Sequence, residues 1–369
     1  MTYQAVATCS FGLESVVAGQ LRHLGAADVA ARDGRVFFKA DAMTIATANI
    51  RLSVAERVLI VLSVFPADTF DTLFDAVKTI EWNDLIGRKD AFPVKGFTMN
   101  STLHSVPACQ KIIKKAVVTQ LQQRYGGMLT EDGGVEKRIQ FSLIKDECTI
   151  MLDTSGDGLH KRGYRPLLNL APIRETLAAG IADFARIGPG SEVRDPFCGS
   201  GTLVIEAALR ASGRAVGINR SFSGENYSFL GSEVFRRARE SARESERTGI
   251  DFQGLGSDID RRAVELSREN AKRAGVGHLV RFEVLDARKL TVEAREILLA
   301  NPPYGQRMED EQAAQDLLEE FGRCLNAQKY RGLYIISNHP RFEQVFGKKA
   351  HKRRKLYNGM LPCQLYMYY

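Results

Sequence analysis

The sequence contains no apolar run long enough to cross a membrane. Its longest apolar stretches, residues 58–65 and 297–300, fall far short of the roughly 20 residues that a membrane-spanning helix requires. The first residues, Met1 to Gln4, are not a charged segment followed by a long apolar one, so we expect no signal peptide. These absences favour a cytoplasmic protein.

Cysteine and histidine are too scattered to predict a metal site. The cysteines occur singly, with no Cys-x-x-Cys pair and no histidine at the spacing of a zinc ligand. We therefore expect reduced, mostly buried thiols and no bound metal. The cysteines are Cys9, Cys109, Cys148, Cys198, Cys324 and Cys363.

A strong overall excess of charge is also missing. The net charge of +7 on 369 residues is compatible with a polyanionic partner but also matches many ordinary enzymes. Locally, however, residues 348–355 (KKAHKRRK) carry six cations and no acid. This run is either a solvated loop tip or a strip that contacts RNA phosphates, and in the second interpretation Lys352, Arg353 and Arg354 bind RNA.

Length and composition indicate several globular domains. A chain of 369 residues, 44% hydrophobic and 26% charged, suits two or three units that each bury a core. From about residue 167 short apolar strands alternate with helices, which predicts an α/β domain with a doubly wound, mostly parallel sheet. The N-terminal half has an α+β pattern, with a hairpin at Asp33-Gly34 and a helix over residues 107–125.

The strongest local motif is a glycine-rich turn between a predicted strand and a predicted helix. Glycines at 199 and 201 permit positive φ and let backbone amides approach a ligand, and the start of the helix favours an electronegative group. A nucleotide-like ligand is predicted here, although a Gly-x-Gly turn alone also has a purely steric interpretation. The motif is Asp195-Pro196-Phe197-Cys198-Gly199-Ser200-Gly201-Thr202.

Two acidic residues at the ends of the next predicted strands support a nucleotide site. Asp258 closes residues 252–257, the place where an acid binds ribose hydroxyls in doubly wound folds. Asp286 closes residues 280–285 and can accept a hydrogen bond from an adenine amino group. We therefore expect three strand ends to present polar groups at one edge of the sheet, with Ile259 and Ala287 beside them.

The tetrapeptide Asn301-Pro302-Pro303-Tyr304 ends a further strand. A conjugated amine becomes nucleophilic when acceptors hold its two hydrogens, and the Asn301 side chain and the Pro302 carbonyl can do this because the prolines keep the turn rigid. Tyr304 offers a ring on which an extruded base can stack. NPPY begins 106 residues after DPFCGSG, and the two acidic strand ends lie between these motifs. Because all of them belong to one series of strand ends, we interpret NPPY as a site for an exocyclic amine rather than as a simple turn.

Together these motifs resemble class I methyltransferases that methylate amino groups. The resemblance implies a Rossmann-like domain with an antiparallel last strand and S-adenosyl-L-methionine as the cofactor. Cys198 lies inside the cofactor loop with no histidine nearby in sequence, so we interpret it as a packed thiol rather than a nucleophile. The implied catalytic residues are Asn301, Pro302, Pro303 and Tyr304, and the implied cofactor-binding residues are Ala171, Asp195, Pro196, Phe197, Cys198, Gly199, Gly201, Thr202, Asp258, Ile259, Asp286, Ala287 and Asn301.

Two further segments resemble RNA guanine-N2 methyltransferases that carry a THUMP domain, of the YpsC and RlmL types. Residues 158–165 (GLHKRGYR) and 171–178 (APIRETLA) are similar to the segment that closes over the methionine end of the cofactor. Residues 100–116 are similar to the THUMP signature around its lysine-bearing helix. The resemblance implies RNA contacts by Lys111, Lys114, Lys115, Arg162 and Arg165.

The resemblance also implies a domain division and a reaction. We expect a ferredoxin-like unit in residues 1–60, a THUMP domain in 61–157 and the methyltransferase domain in 158–369. The expected reaction transfers a methyl group to the N2 amine of a guanosine in structured RNA, with 23S rRNA as the first candidate. The target base is expected to flip into the NPPY pocket. A tRNA guanine, adenine-N6 in DNA, protein glutamine and a non-enzymatic RNA-binding module stay open as alternatives.

Overall fold

The computed structural model of the chain describes residues 2–127, 129, 131, 133–165, 173–303 and 308–369. None of the helices in these ranges is long and apolar enough to span a membrane. The N-terminal half forms β1 (Tyr3–Thr8), α1 (Glu14–His23), β2 (Ala27–Arg32), β3 (Arg35–Ala40), α2 (Ala42–Arg51), β4 (Arg57–Pro66), α3 (Phe70–Lys78), β5 (Val94–Met99), α4 (Val106–Tyr125), β6 (Ile139–Ile144) and β7 (Glu147–Asp153). The C-terminal half forms α5 (Glu175–Phe184), β8 (Glu192–Asp195), α6 (Thr202–Ser212), α7 (Ser232–Glu244), β9 (Gln253–Asp258), α8 (Arg261–Ala274), β10 (Val280–Val284), β11 (Glu296–Ala300), α9 (Met308–Asn326), β12 (Gly332–Ser337), α10 (Phe342–Phe346), β13 (Lys352–Asn358) and β14 (Leu361–Tyr368).

The C-terminal sheet has the order β10-β9-β8-β11-β12-β14-β13. Strands β8 to β12 run parallel to one another, whereas β14 is antiparallel to both β12 and β13. This confirms the prediction of a doubly wound, mostly parallel sheet with an antiparallel last strand. The strand order reverses between β8 and β11, which is where open α/β sheets bind their ligands, at the carboxyl ends of the strands.

The N-terminal sheet is continuous through both units predicted for that half. Its order is β2-β3-β1-β4-β7-β6-β5, and β4 pairs with β1 on one side and with β7 on the other. The boundary predicted between residues 60 and 61 therefore falls inside β4. The division of this half into two domains stays a prediction, and one sheet joins them.

This sheet curls strongly towards the face opposite α3 and α4. Arg35 on β3 donates a hydrogen bond to Ser142 on β6 at 2.8 Å, and its guanidinium carbon lies 5.2 Å from the centre of the Phe97 ring on β5. In a flat sheet β3 and β5 would be five strand spacings apart, about 24 Å. An arginine side chain cannot cover that distance, so the sheet folds over itself and Arg35 spans the concave face.

The C-terminal half shares its core with the first unit. Buried Leu13 and Ile50 belong to the same hydrophobic cluster as Leu177 on α5 and Val193 on β8. A backbone bond from the Gly217 amide to the Ile50 carbonyl, 2.9 Å, also crosses between the two halves. The C-terminal α/β domain is therefore packed against the N-terminal sheet unit through apolar side chains.

Candidate functional site

The glycine-rich loop leaves β8 at a buried aspartate. Asp195 is 1% exposed, and its carboxylate accepts a hydrogen bond from the Phe197 amide at 3.0 Å. The turn closes with a bond of 2.7 Å from the Gly201 amide to the Cys198 carbonyl, and α6 starts at Thr202. Burial raises the pKa of Asp195 to about 8, and the nearby charge of Asp258 adds to that rise.

The two glycines of the loop face different surroundings. Both have left-handed backbone, with φ of 52° at Gly199 and 80° at Gly201. A Cβ added at Gly201 would lie 3.1 Å from Phe282 and Ser267, whereas one added at Gly199 would meet no described atom within 4 Å. The loop is thus packed on the side of Gly201 and open at Gly199, where a ligand can approach the backbone closely.

Helix α8 donates two side-chain hydrogen bonds to the glycine loop. The Ser267 hydroxyl donates to the Gly199 carbonyl at 2.8 Å, and the Asn270 amide donates to the Ser200 carbonyl at 3.0 Å. Both side chains are fully buried. Ser267 and Asn270 were not identified from the sequence. A signal was present, because two polar residues three positions apart on the buried face of a helix need hydrogen-bond partners such as backbone carbonyls.

Asp258 connects the predicted ribose site to the glycine loop. One of its carboxylate oxygens accepts from the Gly199 amide at 2.9 Å, and the other accepts from the Asp260 amide at 3.0 Å. The next residue, Ile259, is 68% exposed, which is unusual for a large apolar side chain. The ends of β8 and β9 therefore meet at one edge, as the sequence predicts, and carry an uncovered apolar group.

Asp286 has a partner that the sequence did not reveal. It caps the short 3₁₀ helix Ala287–Lys289 by accepting from the Arg288 amide at 3.0 Å, and it forms an ion pair of 2.6 Å with the Arg288 side chain. The hydrogen bond from Arg288 lowers the pKa of Asp286. An adenine amino group would have to share this carboxylate with Arg288. Ala287 is buried beside it.

The predicted amine-binding segment follows β11. Asn301 is half-buried, Pro302 is buried and Pro303 is exposed. Strand β11 pairs with β8, with Leu298 opposite Arg194, so this segment leaves the sheet next to the glycine loop. Two predicted site residues, Tyr304 and Ala171, lie outside the described residues.

The prediction that Arg162 contacts RNA is wrong. Its side chain is 2% exposed and its Nε lies 3.4 Å from the buried carboxylate of Glu206. It also donates to the backbone carbonyls of Leu159 and Ser53. Because all of these partners are inside the protein, Arg162 joins the catalytic domain to the loop before β4 and cannot reach a phosphate.

Arg165 is half-buried and bonded to residues of its own domain, and its predicted RNA contact stays a prediction. It pairs with Glu175 at 2.8 Å and donates to the Thr202 hydroxyl at 3.1 Å. The Thr202 hydroxyl lies 3.0 Å from that of Ser200 in the glycine loop. Arg165 thus holds the first turn of α6 from behind.

The basic run forms part of β13 and does not make one strip. Neighbouring side chains of a strand point to opposite faces, so Arg353 lies across the strand from Lys352 and Arg354. Arg354 donates to the Gly12 carbonyl at 2.8 Å and lies over the Phe184 ring, 4.6 Å from its centre. Arg354 is half-buried and joins the two halves, and its predicted RNA contact stays a prediction. Lys352 and Arg353 are exposed.

The lysines of α4 are placed on its solvent side. Lys111 and Lys115 are exposed, and Lys114 pairs with Glu131 at 2.6 Å. Their contact with RNA stays a prediction.

Cys198 is unsuited to nucleophilic chemistry. It is 4% exposed, its sulfur lies 3.7 Å from the Ser267 hydroxyl, and burial raises the pKa of its thiol well above the usual range. A buried neutral thiol is a poor nucleophile. The described residues also contain no group of three side chains that could hold a metal ion.

Comparison with known proteins gives the family. Residues 162–367 match the model of the RMKL-like methyltransferase domain, residues 4–59 that of the RlmL ferredoxin-like domain, and residues 67–153 that of the THUMP domain. Over 370 aligned residues the chain is 38% identical to a Bacillus subtilis (strain 168) protein, YpsC, named as an RNA methyltransferase; the match covers 100% of this chain and 96% of YpsC.

Solved structures agree over the full length. A Listeria monocytogenes str. 4b F2365 protein described as an N6-adenine-specific DNA methylase is 40% identical, with a TM-score of 0.92, and the match covers 100% of this chain and 96% of that one. SMU.472, described as a methyltransferase and solved in complex with SAH, is 38% identical, with a TM-score of 0.91, and the match covers 100% of this chain and 98% of that one. The chain therefore belongs to the RMKL-like methyltransferase family and carries that domain behind an RlmL-type ferredoxin-like domain and a THUMP domain.

Proposed function

We propose that the chain is an RNA methyltransferase that uses S-adenosyl-L-methionine to methylate the N2 amine of a guanosine in structured RNA, with 23S rRNA as the first candidate. One observation carries this proposal. The segment Asn301-Pro302-Pro303 leaves β11 beside the glycine loop that leaves β8, and these two strands are hydrogen-bonded neighbours. A methyl donor in the loop and an amine at the segment would be adjacent.

The loop residues fit the cofactor. The open space at Gly199 leaves room for a ligand against the backbone, Asp258 stands where ribose hydroxyls would bind, and the exposed Ile259 offers an apolar cover for an adenine ring. SMU.472, which is similar over its whole length, was solved with SAH. The proposed cofactor residues keep the set named from the sequence, with Asp286 shared between adenine and Arg288.

The amine-binding segment supplies acceptors and rigidity. When bound, S-adenosyl-L-methionine supplies a methyl group on a sulfonium sulfur, which is transferred to the amine nitrogen. The Asn301 side-chain oxygen and the Pro302 carbonyl would accept the two amine hydrogens and turn the nitrogen lone pair towards that methyl group. Pro303 keeps the turn in place, and the extra proton is lost to solvent after transfer.

The choice of RNA rests on the N-terminal half. A THUMP domain and a YpsC-like chain favour RNA over DNA or protein as the polymer. The choice of guanine-N2, and of rRNA over tRNA, rests on the resemblance of residues 158–178 to guanine-N2 enzymes. The proposed division into residues 1–60, 61–157 and 158–369 follows the same resemblance.

The decisive variant is Asn301→Ala. We expect it to abolish methyl transfer to RNA while calorimetry still detects SAH binding, because the glycine loop and Asp258 remain and only the contribution of Asn301 to the cofactor site is lost. Turnover at the wild-type rate would refute the role of Asn301. Cys198→Ala serves as the comparison: at saturating cofactor it should retain transfer, whereas loss of all activity in a folded protein that still binds SAH would favour a thiol nucleophile.

The substrate itself is tested in cells that lack the gene. Mass spectrometry of nucleosides from rRNA and tRNA should show loss of one N2-methylguanosine, and the wild-type protein should restore it. Loss of N6-methyladenosine instead, with intact N2-methylguanosine, would assign the amine to adenine.

A further inference from the structure

A cavity opens beside the amine-binding segment, on the other side of β12. It has a volume of about 330 Å³ and lies between the residues that follow β12 and the hairpin β13–β14. Ala300, the last residue of β11, pairs with Ile335, so β12 continues to Ser337 beyond the point where β11 ends. The cavity therefore lies at the same edge of the sheet as Asn301-Pro302-Pro303, on the neighbouring strand, roughly 4.8 Å away sideways and two residues further along.

The lining of this cavity is polar and cationic. Arg353 and Lys355 stand on the same side of β13, and none of the described lining residues is acidic. Among the described residues, no carboxylate forms an ion pair with Lys355. The Lys355 ammonium lies 5.6 Å from the centre of the Tyr357 ring. Arg353 keeps one partner at the rim, Glu343, at 3.3 Å. The other lining residues are Ser337, Asn338, His339, Pro340, Pro362, Cys363, Gln364 and Tyr366.

The hairpin extends this cationic wall past the edge of the sheet. Ser337, the last residue of β12, pairs with Gln364, and Gln364 pairs with Lys355. Strand β13 then continues for three residues to Asn358, and β14 begins only at Leu361. Lys355 therefore lies level with the end of β12. Beyond it, the end of the hairpin β13–β14 projects from the sheet beside the place where the target base is proposed to enter.

We propose that this cavity binds the RNA backbone next to the target nucleotide, with Arg353 and Lys355 contacting a phosphodiester group. A base that leaves its stack turns about its own backbone, so the adjacent phosphates must be held near the amine-binding segment. Two cations without an acid between them suit a phosphate, and the cavity is at the small end of ligand pockets, roughly 300–1,000 Å³. This inference rests on the proposed RNA methyltransferase function.

The test compares the double variant Arg353→Ala/Lys355→Ala with Lys349→Ala. Lys349 is an exposed lysine of the same basic run that does not line the cavity, so it controls for the loss of a single charge outside the cavity. The probe is RNA from cells lacking the gene, cut to the fragment that contains the mapped nucleotide. We expect the double variant to raise KM for this RNA about tenfold or more, with kcat, SAH affinity and thermal stability unchanged.

Salt dependence and phosphate modification give the readout specific to the cavity. Each lost phosphate contact should lower the slope of log Kd against log salt by roughly 0.7 for single-stranded RNA. Ethylation of one phosphate beside the target nucleotide should weaken binding of the wild type and of Lys349→Ala, but not of the double variant. The variant Arg353→Lys/Lys355→Arg should restore the wild-type KM.

The outcomes separate the two proposals. If the wild type transfers no methyl group to any RNA, the proposed function fails. If the wild type is active and the double variant behaves like Lys349→Ala in KM, salt slope and ethylation pattern, the cavity does not hold the backbone and the proposed function stands.

Discussion

The two glycines of the cofactor loop allow packing and ligand binding to be separated by a single methyl group. Alanine at either position carries a left-handed backbone cost of about 1–2 kcal/mol. At Gly201 the methyl group also meets Phe282 and Ser267 at 3.1 Å, and overpacking of this kind costs roughly 1–3 kcal/mol more. At Gly199 the methyl group meets no described atom, so it occupies only the space left for a ligand.

We therefore predict opposite profiles for the two variants. Gly201→Ala should lower the free energy of unfolding of the ligand-free protein by about 2–5 kcal/mol in urea titrations. Gly199→Ala should lower it by about 1–2 kcal/mol but weaken SAH binding in calorimetry by at least about tenfold, equivalent to about 1.4 kcal/mol. Wild-type SAH affinity in Gly199→Ala would show that the cofactor does not use this opening. Equal stability losses in both variants would refute the packing argument.

Three further outcomes follow from buried groups. Arg162→Ala should destabilise the fold by about 3–5 kcal/mol, because it leaves the buried Glu206 carboxylate without its arginine partner. It should not change the slope of log Kd for RNA against log salt. A changed slope would show that Arg162 does contact RNA. Asp195→Asn should alter the pH dependence of stability. Since the pKa of Asp195 in the folded protein is about 8, the wild type should lose stability relative to the variant as pH rises from about 4 to 8. A constant difference in melting temperature across that range would contradict the raised pKa. Ser267→Ala should cost about 1 kcal/mol in urea unfolding and weaken SAH binding, because the Gly199 carbonyl loses its support; unchanged affinity would mean that α8 does not shape the loop.

The sequence predicted well those parts of the site whose geometry follows from chain order. Strand ends of a parallel sheet must meet at one edge, so Asp195, Asp258 and Asn301 could be brought together from the alternation of strands and helices alone. The helix over residues 107–125 and the hairpin at Asp33-Gly34 were also visible, because apolar periodicity and turn residues are local signals.

The contacts that the sequence did not reveal are those between residues distant in the chain. Arg162 pairs with Glu206, 44 positions away, and Arg354 bonds to Gly12, 342 positions away. A cation in a basic segment predicts an exposed charge, and nothing local reveals a buried carboxylate or a carbonyl on another domain. The same reason hid Ser267 and Asn270, whose acceptors are carbonyls of a loop on a different strand.

Strand β4 has a practical consequence for dissecting the protein. It supplies the pairing edge for both β1 and β7, and Arg35 ties β3 to β6 and β5 across the concave face. A fragment that starts at residue 61 would lack residues 57–60 of β4 and the whole of β1 to β3, leaving unpaired backbone of the kind that promotes association between chains. The N-terminal half is therefore best produced from residue 2 onward, and a soluble fragment should lose or keep both units together.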